Sequence, residues 1–190
     1  MRKLVSFMHI SLDGFVGGPK GEMDWIYIGE DLFDYAGQMT NASDLALYGR
    51  KTFEMMEAYW PTAADGPNPS KHAVEHSAWY NKVPKLVISN TLAGKSLKNV
   101  TVLNKDFAQE INALKKENGQ NIVIFGSPGA THTLMEDNLV DDYWLFVNPV
   151  ILGKGIQYFD NFKNRVKLKL VESHPFKSGV IGLHYEVIRD

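Results

Sequence analysis

The 190-residue chain contains no cysteine. That absence excludes disulfides, thiolate nucleophiles, thiolate zinc sites and iron–sulfur clusters. Net charge is nearly absent too. Twenty Lys and Arg against 22 Asp and Glu leave −2, which gives no general attraction to a nucleic-acid backbone or an anionic membrane. No run approaches the roughly 20 apolar residues of a membrane-spanning helix. The first apolar run, residues 4–10, is interrupted by Ser6 and His9 and is followed by no small-residue cleavage site. It reads as a first strand, and a cytoplasmic protein is expected. Internal repeats, low-complexity segments and linkers are missing as well. What remains is an ordinary globular composition, 44% hydrophobic and 22% charged, in a chain long enough for one well-formed core. A single domain over residues 1–190 is expected.

Hydrophobic spacing and turn residues divide the chain. Residues 4–10 predict a buried strand delivering a loop rich in Gly14, Gly17, Gly18 and Gly21. Leu32, Phe33, Ala36 and Met39 recur at helical spacing, with Asp31 and Asp34 where the helix dipole favours carboxylates, predicting a helix over 30–41. Residues 44–48 predict a strand, Gly49-Arg50-Lys51-Thr52 a turn, and Phe53, Met56 and Trp60 one face of a helix. The stretch 61–69 predicts an irregular loop. Asn68-Pro69 predicts the cap and first residue of a helix running to about Asn81, with Val74, Ala78 and Trp79 on its buried face. Strands follow at 85–89 and 100–103, then a helix from Phe107 ending near Gly119, a strand at 121–125, and a helix at 130–137. The last strands, 143–150, 166–173 and 180–189, have no full-length helix between them, which predicts antiparallel pairing at that edge. The expected class is α/β, with helices flanking a mixed sheet.

Two strand-to-helix turns carry the strongest chemical signal, because a helix start offers unpaired N–H groups and a positive dipole end to a phosphate. At Gly49, the following Arg50 and Lys51 add fixed positive charge and Thr52 a hydroxyl, an inventory suited to a pyrophosphate or ribose phosphate. An ordinary tight turn with solvated basic residues is the alternative. Gly126-Ser127-Pro128-Gly129-Ala130-Thr131 could cradle a pyrophosphate with backbone amides, Pro128 having none to give. It is not the G-x-G-x-x-G fingerprint, and the late antiparallel strands also argue against a doubly wound dinucleotide fold. Asn148-Pro149-Val150-Ile151-Leu152-Gly153-Lys154-Gly155 ends an apolar strand with a proline and two glycines. Ordinary pairing breaks there, so some of its backbone is expected to face a ligand.

In this order the pieces resemble the family formed by dihydrofolate reductases and the reductase domain of riboflavin biosynthesis, over nearly the whole chain. Ser11-Leu12-Asp13-Gly14-Phe15 resembles the segment after the first strand of the riboflavin-type branch. Gly49-Arg50-Lys51-Thr52 resembles the G-R-x-T turn that grips NADPH phosphates. Gly126-Ser127, Leu139-Val140-Asp141-Asp142 and Pro149 through Gly155 resemble the series G-S, short helix, L-V-D-E and P-V-x-L-G-x-G. The resemblance implies a dihydrofolate-reductase-like fold: a three-layer α/β sandwich whose central sheet is mostly parallel, with antiparallel C-terminal strands. It implies an NADPH-dependent reductase passing hydride to a pterin-like or ribosylaminopyrimidine-like heterocycle, or to another small carbonyl or imine compound. It implies that Gly49, Arg50, Lys51 and Thr52 hold phosphate and that Ser89 and Asn90 meet the adenosine 2′-phosphate. Gly126, Ser127, Gly129, Ala130 and Thr131 would hold the pyrophosphate and nicotinamide side, and Asp13, Leu152 and Gly153 would lie beside the substrate. A homodimer is implied as well.

Around that frame, Asp13 is the candidate for substrate binding or proton handling, with shaping the turn before Gly14 as the alternative. Phe15 and Trp25 suit stacking on a flat substrate or service in the core. Dihydrofolate reductases carry a carboxylate on the first helix. Asp31 or Asp34 falls near that place without matching cleanly, and both also suit a helix start. No zinc-ligating deaminase segment precedes these motifs, so a stand-alone reductase domain is expected, with its natural substrate open.

Two rival readings remain. His72-Ala73-Val74-Glu75-His76 matches H-x-x-E-H, in which two histidines one helical turn apart can bind zinc while the glutamate activates water. No third ligand is announced downstream, and the segment also reads as part of an amphipathic helix. A non-catalytic nucleotide-binding module is the other rival. His9, His132, His174 and His184 have no ligand spacing and are expected to be structural. Lys163, Arg165, Lys167 and Lys169 alternate with Val166, Leu168 and Leu170 as the solvent face of a strand would.

Overall fold

A computed structural model describes residues 1–160 and 165–189, so Lys163 of the basic run lies outside the described residues. Among the described residues the order is β1 (Leu4–Ser11), β2 (Phe15–Gly17), α1 (Glu30–Asn41), β3 (Ser43–Gly49), α2 (Arg50–Tyr59), a short 3-10 turn (Trp60–Thr62) and α3 (Lys71–Lys82). There follow β4 (Lys85–Ile88), β5 (Val100–Leu103), α4 (Phe107–Lys116), β6 (Asn121–Phe125), α5 (Pro128–Glu136), β7 (Asp142–Asn148), β8 (Ile156–Gln157), β9 (Lys167–Pro175) and β10 (Ile181–Ile188). Among the described residues no helix is long and apolar enough to cross a membrane.

Local chemistry explains most element ends. Helix α1 buries Leu32, Tyr35 and Met39 and carries Glu30 and Asp31 in its first turn, where carboxylates suit the dipole. Helix α5 starts at Pro128, two residues before the expected Ala130, because proline fits the first helical position, where its missing N–H costs nothing. The start of α3 corrects the sequence reading. Its cap is Ser70, whose Oγ accepts the Ala73 N–H at 3.1 Å, while Asn68 takes a left-handed φ of 55° in the preceding loop. The buried face of α3 is corrected too. Ala73, Ser77 and Tyr80 face inward, and Val74 is 46% exposed. Small residues at 73 and 77 let the helix approach closely, and the half-buried ring positions go to His72, His76 and Trp79.

The chain divides into two compact units, Gly29–Val123 with the first two residues, and Lys3–Ile28 with the chain from Ile124 onward. In the first, β3 pairs in parallel with β4, and β4 in parallel with β5. Its core is built on Ala46, Leu47, Tyr48, Val87, Ile111 and Ile122. In the second, β1 and β7 are parallel, while β10 runs antiparallel to both β7 and β9. Leu4, Ile124, Leu134, Phe146 and Tyr158 are its largest fully buried side chains. The eight-stranded sheet is ordered β5-β4-β3-β6-β1-β7-β10-β9, the α/β class expected, with the antiparallel strands at the C-terminal edge. A two-stranded antiparallel sheet of β2 and β8 was not expected from the sequence.

Strand β9 is exposed along its whole length. Lys167 and Lys169 face solvent as the alternation required, but Leu168 and Leu170 are exposed as well, since β9 is the last strand of the sheet. Its register against β10 slips between His184 and Tyr185, which oppose Glu172 and Leu170, so Val171 is a surplus bulge residue.

Candidate functional site

In the first unit, parallel pairing sets Gly49 opposite Ile88. Helix α2 starts at Arg50, directly after β3, where the sequence predicted a turn over 49–52, so Arg50, Lys51 and Thr52 form its first turn and lie at the same end of adjacent strands as Ser89-Asn90. Gly49 caps α2 in an extended conformation and has no side chain to cap with. Arg50 grips Glu54 one turn on, its Nη1 lying 3.0 and 2.8 Å from the two carboxylate oxygens, with both residues solvent-accessible. Ser89 is buried and its Oγ accepts the Leu92 N–H at 3.1 Å, so its hydroxyl shapes the turn while Asn90 is exposed.

In the second unit, the residue after β6 still reaches β1, the Gly126 N–H donating to Phe7 O at 3.1 Å. Gly126 and Ser127 then take φ values of 56° and 57°, two left-handed residues in succession. For serine this conformation costs on the order of 1 kcal/mol and marks a place where strain is held by its surroundings. Here the Ser127 hydroxyl donates to Phe125 O at 3.1 Å and the Thr131 hydroxyl to Gly126 O at 3.2 Å. These bonds pin a sharp turn that aims the start of α5. A Cβ added at Gly129 would meet nothing within 4 Å, so open space lies beside the first turn of α5.

The 12–17 and 150–158 segments are joined along their length. Ser11 opposes Asn148, the Leu12 N–H donates to Val150 O at 2.8 Å, and the Tyr158 N–H donates to Gly14 O at 2.9 Å. Asp13 sits at the centre of this seam. Its Oδ1 accepts the Ser11 hydroxyl at 2.7 Å and the Leu152 N–H at 3.1 Å, and its Oδ2 accepts the Gly153 N–H at 2.8 Å. The Ser11 hydroxyl above all holds the Asp13 carboxyl below the usual carboxylate range; desolvation opposes it, and the Gly153 and Leu152 amides reinforce it. The two glycines of the loop serve different needs. Gly153 has a φ of 74°, whereas a Cβ on Gly155 would lie 2.1 Å from Gly17 O.

The structure thus brings Asp13, Leu152 and Gly153 together. Phe15 is half-buried in β2, and half-buried Trp25 donates its indole N–H to Glu22 O at 3.0 Å. Sequence reasoning missed Asn148. Buried at the end of β7, its amide donates to Phe146 O at 3.0 Å and Ile10 O at 3.3 Å, and its Oδ1 accepts the Tyr27 N–H at 3.0 Å. An asparagine closing an apolar strand before a proline was the available signal.

The remaining candidate acids and the two H-x-x-E-H histidines are engaged elsewhere. Asp34 pairs with Lys71 at 2.6 Å on the surface, and Asp31 accepts the Leu32 N–H at 2.9 Å. Asp141 accepts the Leu4 N–H at 2.8 Å and pairs with Arg189. Asp142 meets Lys3 at 3.1 Å and His184 at 2.8 Å. Burial opposes its charge, but those two partners outweigh burial and keep its pKa low. The H-x-x-E-H histidines pack as rings. His72 stacks on Phe33 at 3.5 Å and 4°, and His76 lies 4.1 Å from Trp60. Burial lowers both pKa values, that of His76 to about 3. Among the described residues no group of three His, Asp or Glu gathers as a metal site.

Residues 2–181 match the RibD C-terminal domain. The chain belongs to that family. A relative within reach of it is the uncharacterized protein YyaP of Bacillus subtilis (strain 168), 33% identical over 189 residues, which cover 97% of this chain and 94% of that one. Among solved structures, a Shewanella sp. PV-4 protein named for riboflavin biosynthesis superposes with a TM-score of 0.75 at 18% identity, covering 98% of this chain and 99% of the other. A dihydrofolate reductase from Enterococcus faecalis, solved with NADP(H), superposes with a TM-score of 0.65 at 17% identity, covering 98% and 97%. This RibD C-terminal domain protein therefore has a dihydrofolate-reductase-like fold shared with reductases.

Proposed function

We propose that this RibD C-terminal domain protein is an NADPH-dependent reductase that passes hydride to a small planar heterocycle, pterin-like or ribosylaminopyrimidine-like, or to a related carbonyl or imine compound. The observation that carries the reading is the strained Gly126-Ser127 turn, which leads into the start of α5 with open space beside Gly129. A helix start with close backbone approach is what a pyrophosphate needs. The family, and the fold shared with a reductase solved with NADP(H), support the cofactor class.

In this reading Gly126, Ser127, Gly129, Ala130 and Thr131 hold the pyrophosphate and nicotinamide side, and Arg50, Lys51, Thr52, Ser89 and Asn90 are phosphate ligands. NADPH, when bound, supplies the hydride, and the protein fixes ring face and distance. Arg50 exchanges its Glu54 partner for phosphate, an anion that guanidinium geometry suits. Asp13 holds the Leu152 and Gly153 amides beside the substrate, with Phe15 and Trp25 as stacking surfaces. With its pKa held low and three donors on its oxygens, Asp13 is a poor acid at neutral pH, so the proton that accompanies the hydride comes from bound water.

Thermal unfolding tests the reading directly. NADPH at about 100 times its Kd should stabilise the protein by about 2.7 kcal/mol, with NADH weaker. No shift in Tm with either nucleotide would overturn the proposal. Arg50→Glu should weaken NADPH at least tenfold, and unchanged affinity would remove Arg50 from the phosphate ligands. NADPH binding without oxidation across pterins, pyrimidines and quinones would make the protein a binding module instead.

A further inference from the structure

His9 stands on β1 two residues beyond Phe7, whose carbonyl accepts the Gly126 N–H. Strand alternation puts the two side chains on one face. In register His9 opposes Phe146 on β7, and its ring stacks on Phe146 with centroids 5.0 Å apart and planes at 24°. Phe7 stands edge-on to it at 6.1 Å and meets Phe125, the last residue of β6, at 5.1 Å. The imidazole is therefore set on an aromatic floor that offers no hydrogen bond of ordinary strength.

The consequence is an orphaned atom. His9 Nδ1 is buried and has no hydrogen-bond partner among the described residues. Burial also pushes the His9 pKa down to about 4, so the ring is neutral at pH 7, with one N–H and one lone pair to place. Buried polar atoms are nearly always paired, and an exception asks for a cause. A phenylalanine or leucine would fill the same floor without leaving a nitrogen unpaired. Position supplies the cause. His9 lies near the C-terminal end of β1, the end at which open α/β sheets bind ligands. It comes just past the contact with the Gly126-Ser127 turn and four residues before Asp13, whose carboxylate clamps the Leu152-Gly153 loop.

We infer that His9 is a ligand-binding residue of the proposed reductase site, its Nδ1 pairing with the amide-type edge of a planar heterocycle. That heterocycle is either the nicotinamide ring or the ring that accepts the hydride. The inference rests on the reductase reading and adds to it a specificity contact. A neutral imidazole recognises a neutral N–H or C=O edge and discriminates against rings lacking one, because the buried nitrogen then stays unpaired. His9 is not the proton donor at neutral pH, since it carries no second proton there.

The test follows the imidazole nitrogens of uniformly 15N-labelled protein, with His9→Phe identifying the His9 signals among the six histidines. Three additions are compared: 2′-phospho-ADP-ribose, NADP+, and NADP+ with folate or 5,6-diaminouracil. A His9 Nδ1 shift with NADP+ but not with 2′-phospho-ADP-ribose assigns the contact to nicotinamide. A shift only in the ternary mixtures assigns it to the hydride acceptor. NADP+ bound with His9 unmoved in every arm overturns the inference and leaves the reductase reading standing, while failure of NADP+ to bind removes both. The variant gives a second measure. His9→Phe should keep or raise Tm of the free protein, since an unpaired nitrogen is removed, and should weaken the ring-bearing ligand about tenfold, the factor for one lost hydrogen bond. A lowered Tm with unchanged ligand affinity would make His9 structural.

Discussion

Asp13 commits both carboxylate oxygens to its own chain, and that fixes what its substitution should do. Because the folded pKa is depressed, its stabilising effect is present above the ordinary carboxylate range and is lost as pH falls through the lowered value. The Leu152 and Gly153 amide shifts should therefore titrate together below about pH 4. Titration of the pair at or above that value would contradict the geometry. Asp13→Asn keeps one acceptor and turns an amide donor toward one of the loop N–H groups. The expected result is a raised KM, with the dependence of kcat on pH unchanged. Loss of a fall in kcat at rising pH would instead make Asp13 the acid. Residue types at this seam were legible in the sequence, since Asp13 and Gly153 stood in recognisable motifs. The partnership was not, because the amides that hold Asp13 lie 139 and 140 residues away and only the parallel pairing of β1 with β7 brings them in.

At the scale of elements, α3 links pH to stability. His72 and His76 are packed as neutral rings against Phe33, Trp60 and Trp79, and burial lowers their pKa values from the ordinary 6.5. The unfolded chain takes up protons that the folded one refuses, so stability is full above about pH 6.5 and falls as the pH drops, for His76 by up to about 1.4 kcal/mol per pH unit toward about pH 3, with His72 acting in the same direction. His76→Gln should shrink the difference in urea midpoint between pH 7 and pH 5. An unchanged difference would mean that His76 is not responsible. The same helix shows why its boundary and face were misread. Asn68 and Ser70 are both good caps, and only the backbone decides between them. Hydrophobicity ranks Val74 above His76, yet the close-packed side of α3 uses small residues and rings. Elements with one unambiguous signal, such as α1, β5 and β6, matched their predicted ends.

For the whole molecule, the class of fold was legible because the late strands without intervening helices announced an antiparallel edge. The place of β6 beside β1 was not, since strand order depends on contacts that no local pattern encodes. The homodimer implied by family resemblance is retained as a proposal. Sedimentation at micromolar concentration should give twice 21.4 kDa, and a monomer throughout that range would discard it. The outermost strand has a further consequence. A flat strand of nine exposed residues carrying Leu168, Leu170 and Val171 would be a template on which other chains could add and grow into filaments. Val171, surplus to the register, twists that template out of true, and Lys167 and Lys169 charge it. That guard against edge-to-edge pairing rests on one residue too many.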